Sequence, residues 1–431
     1  MHTTPLSALH RLDAWQAADL LTRREIKAVD LLGSCLDRIE TRDLEVHAFV
    51  TVNRNAAFEL ARQLDAGAVR GLLHGLPFGV KDLLDTNDFP TAYGSPIYAG
   101  HQPATDAAAV SLCREAGAVL LGKTVTTELA NLYAGATRNP HHLGHTPGGS
   151  SSGSAAAVAD AMVPFAIGTQ TAGSVIRPAA FCGVVGFKPT HNRVPKAGVK
   201  ALSETLDSVG VFGRSVRDAA LLGAVLTGDI GMADPALFTQ SFAPRIGLCQ
   251  PPEWALADAD THKAWAYAEQ VLADVVRPVM WPDSMRNLAT VHQEIQNFET
   301  ARSLSYERLA YLDQISAPLQ ARIAEGLAIS GETHARHLQT AAAARQQIHA
   351  LFQVHDFILA PSSVGEAPVG LDFTGDPVFC RTWTLLGLPC IHLPFFKGNT
   401  GMPVGLQLVG AYGDDRRLLA AGHGLYTRLM Q

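Results

Sequence analysis

The chain has 431 residues, of which 47% are hydrophobic and 17% charged, with a formal net charge of −6. This composition predicts a soluble globular protein with a large core, in one large α/β domain or in two or three smaller ones. The acidic balance, without a concentrated basic face, argues against nucleic-acid binding. No apolar run is long enough to cross a bilayer, and the first residues lack the basic start and apolar block of a signal peptide. We therefore expect a cytoplasmic protein that binds neither nucleic acid nor membrane.

The cysteines and histidines are not spaced along the sequence as the ligands of a metal site are. The six cysteines lack a CxxC pattern and lie in apolar or mixed segments, which indicates reduced, mostly buried thiols rather than disulfides or a zinc site. The histidines of "PHHLGH" at residues 140–145 are not at helical i, i+4 spacing with an acidic residue. We interpret them as loop histidines and expect neither a metal nor a cofactor.

The first third of the chain changes from a helical to an α/β pattern. Apolar residues recur at helical spacing over residues 12–45 and 55–66. The apolar run at 75–86 predicts a short buried strand. A predicted helix over 106–117 and a strand over 118–124 then give the strand–helix–strand rhythm of an α/β sheet.

The remainder continues this pattern around a helical insertion. "SAAAVADAMV" predicts a helix of small residues, and "PFAIGTQTAGS" and "CGVVGFKPT" each predict a strand. Residues 256–353 are helix-rich and more polar, after which "DFILAPS", "GLPCIHLPF" and "MPVGLQLVG" resume the sheet before a closing helix. We predict one α/β domain over residues 1–431, with a single large mixed sheet flanked by helices. Residues 1–66 form its N-terminal helices and 256–353 its helix-rich variable portion.

The loop "HTPGGSSSGSAAAVA" at residues 145–159 permits three interpretations. A phosphate cradle requires Lys-Ser/Thr after its second glycine, and here Gly153 is followed by Ser154 and alanines. The segment matches the GxSxG nucleophile elbow with Ser151 at its centre, but the elbow requires a preceding strand and none is predicted. The third interpretation is a small-residue loop that lets a helix pack closely on a sheet.

Two other segments suggest a chemical role for this loop. Lys81 lies in the apolar run "GLPFGVKDLL", where a buried ammonium is costly to desolvate. Lys81 therefore either extends to solvent or is partly neutral with a lowered pKa, and a neutral amine is a competent base. Downstream, "GTQTAGSVIRPAAFCGVVGFKPT" (168–190) presents Ser174 in a second turn of small residues.

Together these segments resemble the amidase signature family: "GVKD" with Lys81, "TPGGSSSGSAAAVA" with Ser150 and "AGSVIRPAAFCGVVGFKPT" with Ser174. The resemblance extends to "LLGKTVTTELA", "ATRNP" and the closing "GMPVGLQLVG", so it covers the chain from about residue 20 to the end and is weakest at 256–353. It implies the amidase signature fold, hydrolysis of linear amide C–N bonds and a small-molecule amide as substrate. It is compatible with a homodimer, since dimers are common in this family.

The resemblance also implies a Ser–Ser–Lys triad, in which Ser174 is the nucleophile, Ser150 the bridge and Lys81 the base, with an acyl-enzyme intermediate. A serine hydroxyl is a weak nucleophile until a base removes its proton, and a lysine is such a base near pH 7 only when it is desolvated. The relay serine of the family follows a cis peptide bond, which we expect at Gly149–Ser150. The serine run leaves Ser151 open as an alternative relay.

The turn at residues 171–174 offers consecutive backbone N–H groups to the oxyanion that forms during attack. The candidate donors are Thr171, Ala172, Gly173 and Ser174. The family's usual turn is Gly-Gly-Ser, and here Ala172 takes the place of the first glycine. Its methyl group either narrows the site or demands a negative φ.

Arg177 is the residue that bears on the substrate. It stands three residues after Ser174, as in malonamidase-like members of the family, which use the arginine to hold a substrate carboxylate. A guanidinium offers a bidentate, permanently charged fork for that purpose, and a structural salt bridge is the alternative role. Gln170 occupies a position where many relatives have aspartate, including the glutamine-hydrolysing subunit of the tRNA-dependent amidotransferase.

We therefore predict an amidase that converts a small amide to a carboxylic acid and ammonia, with a carboxylate-bearing amide favoured by Arg177. Two alternative enzymes stay open: a glutaminase-type subunit of an amidotransferase, and an aryl- or acyl-amidase with an apolar pocket. A catalytically silent binding protein that retains the fold is the alternative outside catalysis.

Overall fold

A mixed sheet of eleven strands is the main element of the computed structural model, which describes residues 5–131, 133–239 and 243–431. In chain order the strands are β1 (Phe49–Val52), β2 (Pro77–Lys81), β3 (Val119–Thr124), β4 (Phe165–Gln170), β5 (Val185–Lys188), β6 (Ser208–Gly213), β7 (Ile246–Leu248), β8 (Val276–Pro278), β9 (Phe357–Pro361), β10 (Cys390–Lys397) and β11 (Pro403–Gly410). Their spatial order is β1-β3-β2-β4-β6-β5-β10-β11-β9-β7-β8. The predicted α/β class with one large mixed sheet is confirmed.

The strands that carry the candidate site lie side by side. Strand β2 is parallel to both β3 and β4, and β4 is antiparallel to β6. Because β2 is flanked on both sides and its five residues are all buried, the side chain of its last residue, Lys81, enters the interior.

Helices surround the sheet. The α-helices of the described ranges are α1 (Ala14–Thr22), α2 (Ala28–Val46), α3 (Arg54–Ala66), α4 (Ala108–Glu115), α5 (Ser152–Ala159), α6 (Ile176–Cys182), α7 (Val216–Thr227), α8 (Ala259–Val271), α9 (Leu288–Ser303), α10 (Ser305–Ala310), α11 (Ala317–Ala328), α12 (Gly331–Val354), α13 (Val378–Leu385) and α14 (Asp415–Leu429). Short 3-10 helices lie at Leu6–Arg11, Pro96–Tyr98, Glu128–Ala130, Ile230–Ala233, Pro235–Phe238, Trp254–Leu256, Asp283–Met285 and Leu312–Gln314. No helix within these ranges combines the length and apolar content needed to span a bilayer.

Most of the predicted elements are present, but β6 (Ser208–Gly213) and α7 (Val216–Thr227) were not predicted, and the other differences fall on short strands. The N-terminal residues predicted as helices also contain β1, which pairs with β3. The helix-rich portion at 256–353 also contains β8, at one edge of the sheet. Strands β7 and β8 have three residues each, too few to show an alternating pattern. The predicted extra strand residues after Lys81 are wrong, since β2 ends there.

The helix of small residues, α5, packs closely against the sheet. A Cβ atom at Gly153 would lie 2.1 Å from the carbonyl oxygen of Ala48, so only glycine fits. The Ser154 hydroxyl bonds Thr124 Oγ1 at 2.7 Å and donates to the Ile167 carbonyl at 3.0 Å, which ties the helix to β3 and β4. Close helix–sheet packing was one interpretation of this loop, and the structure bears it out. The six cysteines are free and buried, as predicted.

Candidate active site

Lys81 is buried and bonded to two hydroxyl groups. Its Nζ donates to Ser150 Oγ at 2.8 Å and to Thr169 Oγ1 at 2.7 Å. Burial lowers the pKa of Lys81 to about 7, and the negative charge of Asp207 opposes part of this shift. Near neutral pH a substantial fraction of this amine is therefore uncharged and able to accept a proton.

The serine loop assigns different contacts to its neighbouring serines. The Gly149–Ser150 peptide bond is cis, as expected, and the Ser150 side chain contacts Lys81. The Ser151 hydroxyl donates to the Thr169 carbonyl at 3.2 Å and accepts from the Thr169 N–H at 3.3 Å. Because Ser151 fastens the loop to β4, the contacts favour Ser150 as the relay.

Ser174 lies in the turn between β4 and α6, at a small cavity of about 140 Å³. Its residue surface is 8% exposed, so a small molecule in the cavity can reach the hydroxyl. Within the described residues, no hydrogen bond joins Ser150 to Ser174. The structure thus shows the link from Lys81 to Ser150, and the link from Ser150 to Ser174 belongs to the proposal below.

The peptide groups before Ser174 are each held by a hydrogen bond to their carbonyl oxygen. Their carbonyl oxygens accept hydrogen bonds from three donors: Thr171 O from His292 Nε2 at 2.8 Å, Ala172 O from Thr384 Oγ1 at 2.7 Å, and Gly173 O from the Arg177 backbone N–H at 2.8 Å. A trans peptide directs its N–H opposite to its C=O, so the next N–H in each case faces away from these partners. In the described part of the chain the N–H groups of residues 172–174 have no acceptor, as an oxyanion hole requires.

His292 and Thr384 come from distant parts of the sequence, and the sequence pattern does not reveal them. Burial lowers the pKa of His292 to about 3, so the ring is neutral and its Nε2 carries the hydrogen that bonds Thr171. Ala172 is absent from the positive-φ residues and lines the cavity, so its methyl group is accommodated at negative φ. Gly173 is required, since a Cβ there would lie 2.9 Å from Pro377.

Gln170 organises the start of α6. Its Oε1 accepts from the backbone N–H groups of Val175 and Ile176 at 2.9 and 3.1 Å, and its Nε2 donates to Thr384 at 2.9 Å. The amide supplies both an acceptor and a donor, whereas an aspartate at this position would lack the donor. Gln170 thereby links the end of β4, the helix after Ser174 and the residue that holds the Ala172 carbonyl.

Asp207 is a buried carboxylate that the sequence pattern also missed. It accepts from Thr171 Oγ1 at 2.6 Å and from the N–H groups of Leu202 and Ser203 at 2.8 and 3.0 Å. Burial raises its pKa, and these hydrogen bonds act in the opposite direction. In its ionised form Asp207 favours the protonated state of Lys81, so it influences the base without contacting it.

Arg177 is almost wholly buried and lines the same cavity as Ser174. Its Nη2 donates to the Gly149 carbonyl at 2.5 Å and to Thr374 Oγ1 at 3.3 Å, whereas its Nε has no hydrogen-bond partner among the described residues. Burial lowers the pKa of Arg177 to about 10, so the side chain is charged at neutral pH. Among the described residues no carboxylate lies within 4.0 Å of it, so the alternative of a structural salt bridge is not what the structure shows.

Two further arginines line this cavity, Arg322 on α11 and Arg381 on α13. Their spacing along the chain gives no sign that they meet Arg177. Two histidines of the 140–145 loop form hydrogen bonds with backbone carbonyl oxygens. His141 bonds the Cys182 carbonyl at 2.9 Å, and His145 bonds the Ala367 carbonyl at 2.7 Å.

A buried lysine with a pKa of about 7, bonded to a serine beside a turn with free N–H groups, is typical of hydrolases that use a serine nucleophile. Residues 30–419 match the model of the family described as Amidase. Since this match spans most of the chain, the protein belongs to the amidase signature family and is a hydrolase that acts on amide C–N bonds.

Curated relatives align over nearly the whole chain. One subunit of the glutamyl-tRNA(Gln) amidotransferase from Nitratidesulfovibrio vulgaris (strain DP4) is 34% identical, with 98% of each chain covered. The corresponding amidotransferase protein from Desulforapulum autotrophicum is 33% identical, with 97% of this chain and 98% of the relative covered.

Solved structures share the architecture. One described as "Crystal structure of amidase" has a TM-score of 0.87 at 32% identity and covers 97% of this chain and 100% of its own. A 6-aminohexanoate cyclic dimer hydrolase complexed with substrate has a TM-score of 0.87 at 25% identity, with 99% and 98% covered. These likenesses are to amide-bond hydrolases of this fold.

Proposed function

We propose that the protein hydrolyses a small, carboxylate-bearing amide to a carboxylic acid and ammonia through Ser174, Ser150 and Lys81. The observation that carries the proposal is the 2.8 Å contact between the Lys81 amine and the Ser150 hydroxyl, next to a cavity that Ser174 lines. A base with a pKa near the operating pH is the most effective proton acceptor, and burial sets the pKa of Lys81 at about 7.

In the first step, Ser174 Oγ bonds to the substrate carbonyl carbon as its proton passes to Ser150, which gives its own proton to neutral Lys81. The carbonyl oxygen becomes an oxyanion and accepts from the N–H groups of residues 172–174. Each such donor is worth about 3 kcal/mol of barrier.

In the second step, the Lys81 ammonium returns the proton by way of Ser150 to the substrate nitrogen. The C–N bond breaks, ammonia leaves and the acyl group stays on Ser174. Water then attacks the ester carbonyl, loses a proton through the same relay, and releases the acid and free Ser174.

Arg177 supports a substrate that carries a carboxylate. Its charged guanidinium faces the cavity of Ser174 and leaves Nε without a partner, and a buried donor without a partner costs free energy that a ligand can recover. The volume of about 140 Å³ and the arginine-rich lining favour a small polar amide over the bulky acyl or aryl group of the apolar-pocket alternative.

The alternative, a glutaminase-type component of an amidotransferase, rests on the curated amidotransferase relatives. The two functions differ in their need for a partner. We expect the purified chain alone to release ammonia from small amides at a rate that added amidotransferase subunits do not change. Ammonia release that depends on those subunits would favour the alternative.

Labelling with a fluorophosphonate tests the nucleophile directly. We expect one adduct, mapped by mass spectrometry to Ser174, which is lost in Ser174→Ala and formed much more slowly in Lys81→Met. An adduct on Ser151 would contradict the proposal. The absence of any adduct on the folded protein would also contradict it and would favour a catalytically silent protein.

Matched amides test Arg177. We expect Arg177→Met to lower kcat/KM for succinamate by about 10- to 100-fold more than for butyramide, because only succinamate loses a charge-assisted contact. Arg177 also holds the Gly149 carbonyl, so Arg177→Met removes both the charge and this contact. Arg177→Lys is the companion variant, because it keeps the positive charge. Equal losses on both amides would remove the carboxylate from the proposal.

A further inference from the structure

The cavity beside Ser174 carries more positive charge than one substrate carboxylate would neutralise. Its lining contains the guanidinium groups of Arg177, Arg322 and Arg381 and a single carboxylate, Asp376. The Asp376 Oδ1 lies 3.8 Å from Arg381 Nη2, and the Asp376 side chain is 47% exposed. Because solvent screens a half-exposed carboxylate at that distance, it offsets only part of the charge.

The other contacts of these arginines are to neutral groups. Arg322 Nη1 donates to the Asn131 side-chain oxygen at 3.2 Å, and Arg381 Nη1 donates to the Gln293 side-chain oxygen at 3.0 Å. Within the described ranges, no carboxylate lies within 4.0 Å of either Arg177 or Arg322. Arg177 and Arg322 therefore have no counter-charge in direct contact, and the charges of Asp376 and Glu325 act on them only from beyond 4.0 Å.

The three cations also destabilise one another. Burial, with the charge of Arg381 as a smaller cause, lowers the pKa of Arg322 to about 10. Arg381 and Arg322 also lower the pKa of Arg177, less than burial does and against the opposing charge of Asp376. Arginine side chains stay charged at neutral pH, so the three guanidinium groups repel one another and a bound anion would relieve that repulsion.

The arginines are positioned before any ligand arrives. Helices α11 and α13 both pack against α9, and α9 supplies the Gln293 oxygen that fixes Arg381. Asn131, which fixes Arg322, directly follows the 3-10 helix Glu128–Ala130. A guanidinium whose orientation is set in advance loses less entropy when it binds a carboxylate.

We propose that Arg322 and Arg381 bind a second acidic group, so that the substrate is the monoamide of an acid with two further carboxylates, one for Arg177 and one for this pair. This inference rests on the proposed function, because Ser174 must act on an amide in the same cavity. It makes Arg322 and Arg381 determinants of specificity rather than catalytic residues.

Three amides of increasing charge test the proposal: butyramide, succinamate and the monoamide of propane-1,2,3-tricarboxylic acid. For the wild type we expect kcat/KM to rise with each added carboxylate. Arg322→Gln should lower kcat/KM for the doubly charged amide by about 10- to 100-fold more than for butyramide, because only the doubly charged amide loses a charge-assisted contact. Arg322→Lys should recover part of the loss, and Arg336→Gln, an exposed site on α12, should have no effect.

Two outcomes would overturn the proposal. One is a wild-type enzyme that treats the singly and doubly charged amides alike, and the other is an Arg322→Gln variant that loses equally on all three. The fluorophosphonate labelling rate of Ser174 in Arg322→Gln shows whether the catalytic groups are intact, and we expect it to fall by much less than kcat/KM for the doubly charged amide.

Binding without turnover separates this inference from the proposed reaction. Calorimetric titration of Ser174→Ala with propane-1,2,3-tricarboxylate should show binding that weakens about 10-fold or more when Arg322→Gln is added. If the wild type fails to label at Ser174, the proposed reaction falls while this titration still decides on the anion site. Equal affinity in both variants would remove the site.

Discussion

The segment around the two serine turns and the helix-rich portion at 256–353 differ sharply in burial. Every residue from 165 to 182 is buried, whereas burial in the helix-rich portion is uneven: α9 buries ten of its 16 residues, and α12 buries only three of its 24. The first segment holds the groups that do the proposed chemistry. The second reaches the site through a few side chains, notably His292 at the Thr171 carbonyl and Arg322 at the cavity. The groups of the proposed chemistry therefore lie in a fully buried segment, whereas residues 256–353, which contribute Arg322 to the cavity, are less uniformly buried.

The largest effect is expected at the buried base. Lys81→Met should lower kcat by at least about 10³-fold, because a thioether cannot accept the proton that Ser150 passes on. Steady-state ammonia release measures this effect, and circular dichroism checks that the variant is folded. Turnover within a few-fold of the wild type would show that the lysine is not the base.

Packing around α5 should be intolerant of a single methyl group. Gly153→Ala places a Cβ 2.1 Å from the Ala48 carbonyl oxygen, and we expect a loss of about 3 kcal/mol in the free energy of unfolding. The matched control is Gly424→Ala in α14, where a Cβ meets nothing within 4 Å and should add about 0.5–1 kcal/mol. Urea denaturation of both variants checks the contrast, which similar midpoints would contradict.

A contact from the helix-rich portion should matter less than the base. His292→Phe removes the donor to the Thr171 carbonyl, and the loss of one hydrogen bond of about 1 kcal/mol predicts roughly a 5-fold lower kcat with KM nearly unchanged. Comparison of kcat and KM on one amide measures it. A change confined to KM would mean that His292 shapes the substrate site instead of the turn.

The smallest change is expected in the pH profile. Activity requires neutral Lys81, so kcat/KM should rise with pH through about 7, the pKa of that amine. The Asp207 charge raises this pKa, so Asp207→Asn should move the rise to lower pH. A pH series on both proteins tests the sign, and a shift to higher pH would show that Asp207 does not act on Lys81 through its charge.

Local signals in the sequence predicted most of the sheet and most of the helices. Lys81 stood out because a charged residue in an apolar run is costly to bury, whereas the roles of Ser150 and Ser174 followed from the resemblance to the amidase signature family. The three-residue strands β7 and β8 were missed, since three residues carry no periodicity, and β6 and α7 were not predicted either. The fold class could be predicted because it depends on the order of helices and strands, and the hydrophobic pattern of each segment indicates which of the two it forms.

The sequence by itself indicated which side chains are candidates for the proposed reaction and which elements carry them, because apolar runs and glycine-rich turns act over a few residues. Only the tertiary structure decided what surrounds them. His292 lies 121 positions from Thr171, and Thr384 lies 212 positions from Ala172. Hydrogen bonds and charges act over a few ångströms in space, whatever the separation along the chain. The orientation of the turn and the arginine-lined cavity therefore depend on how distant helices pack.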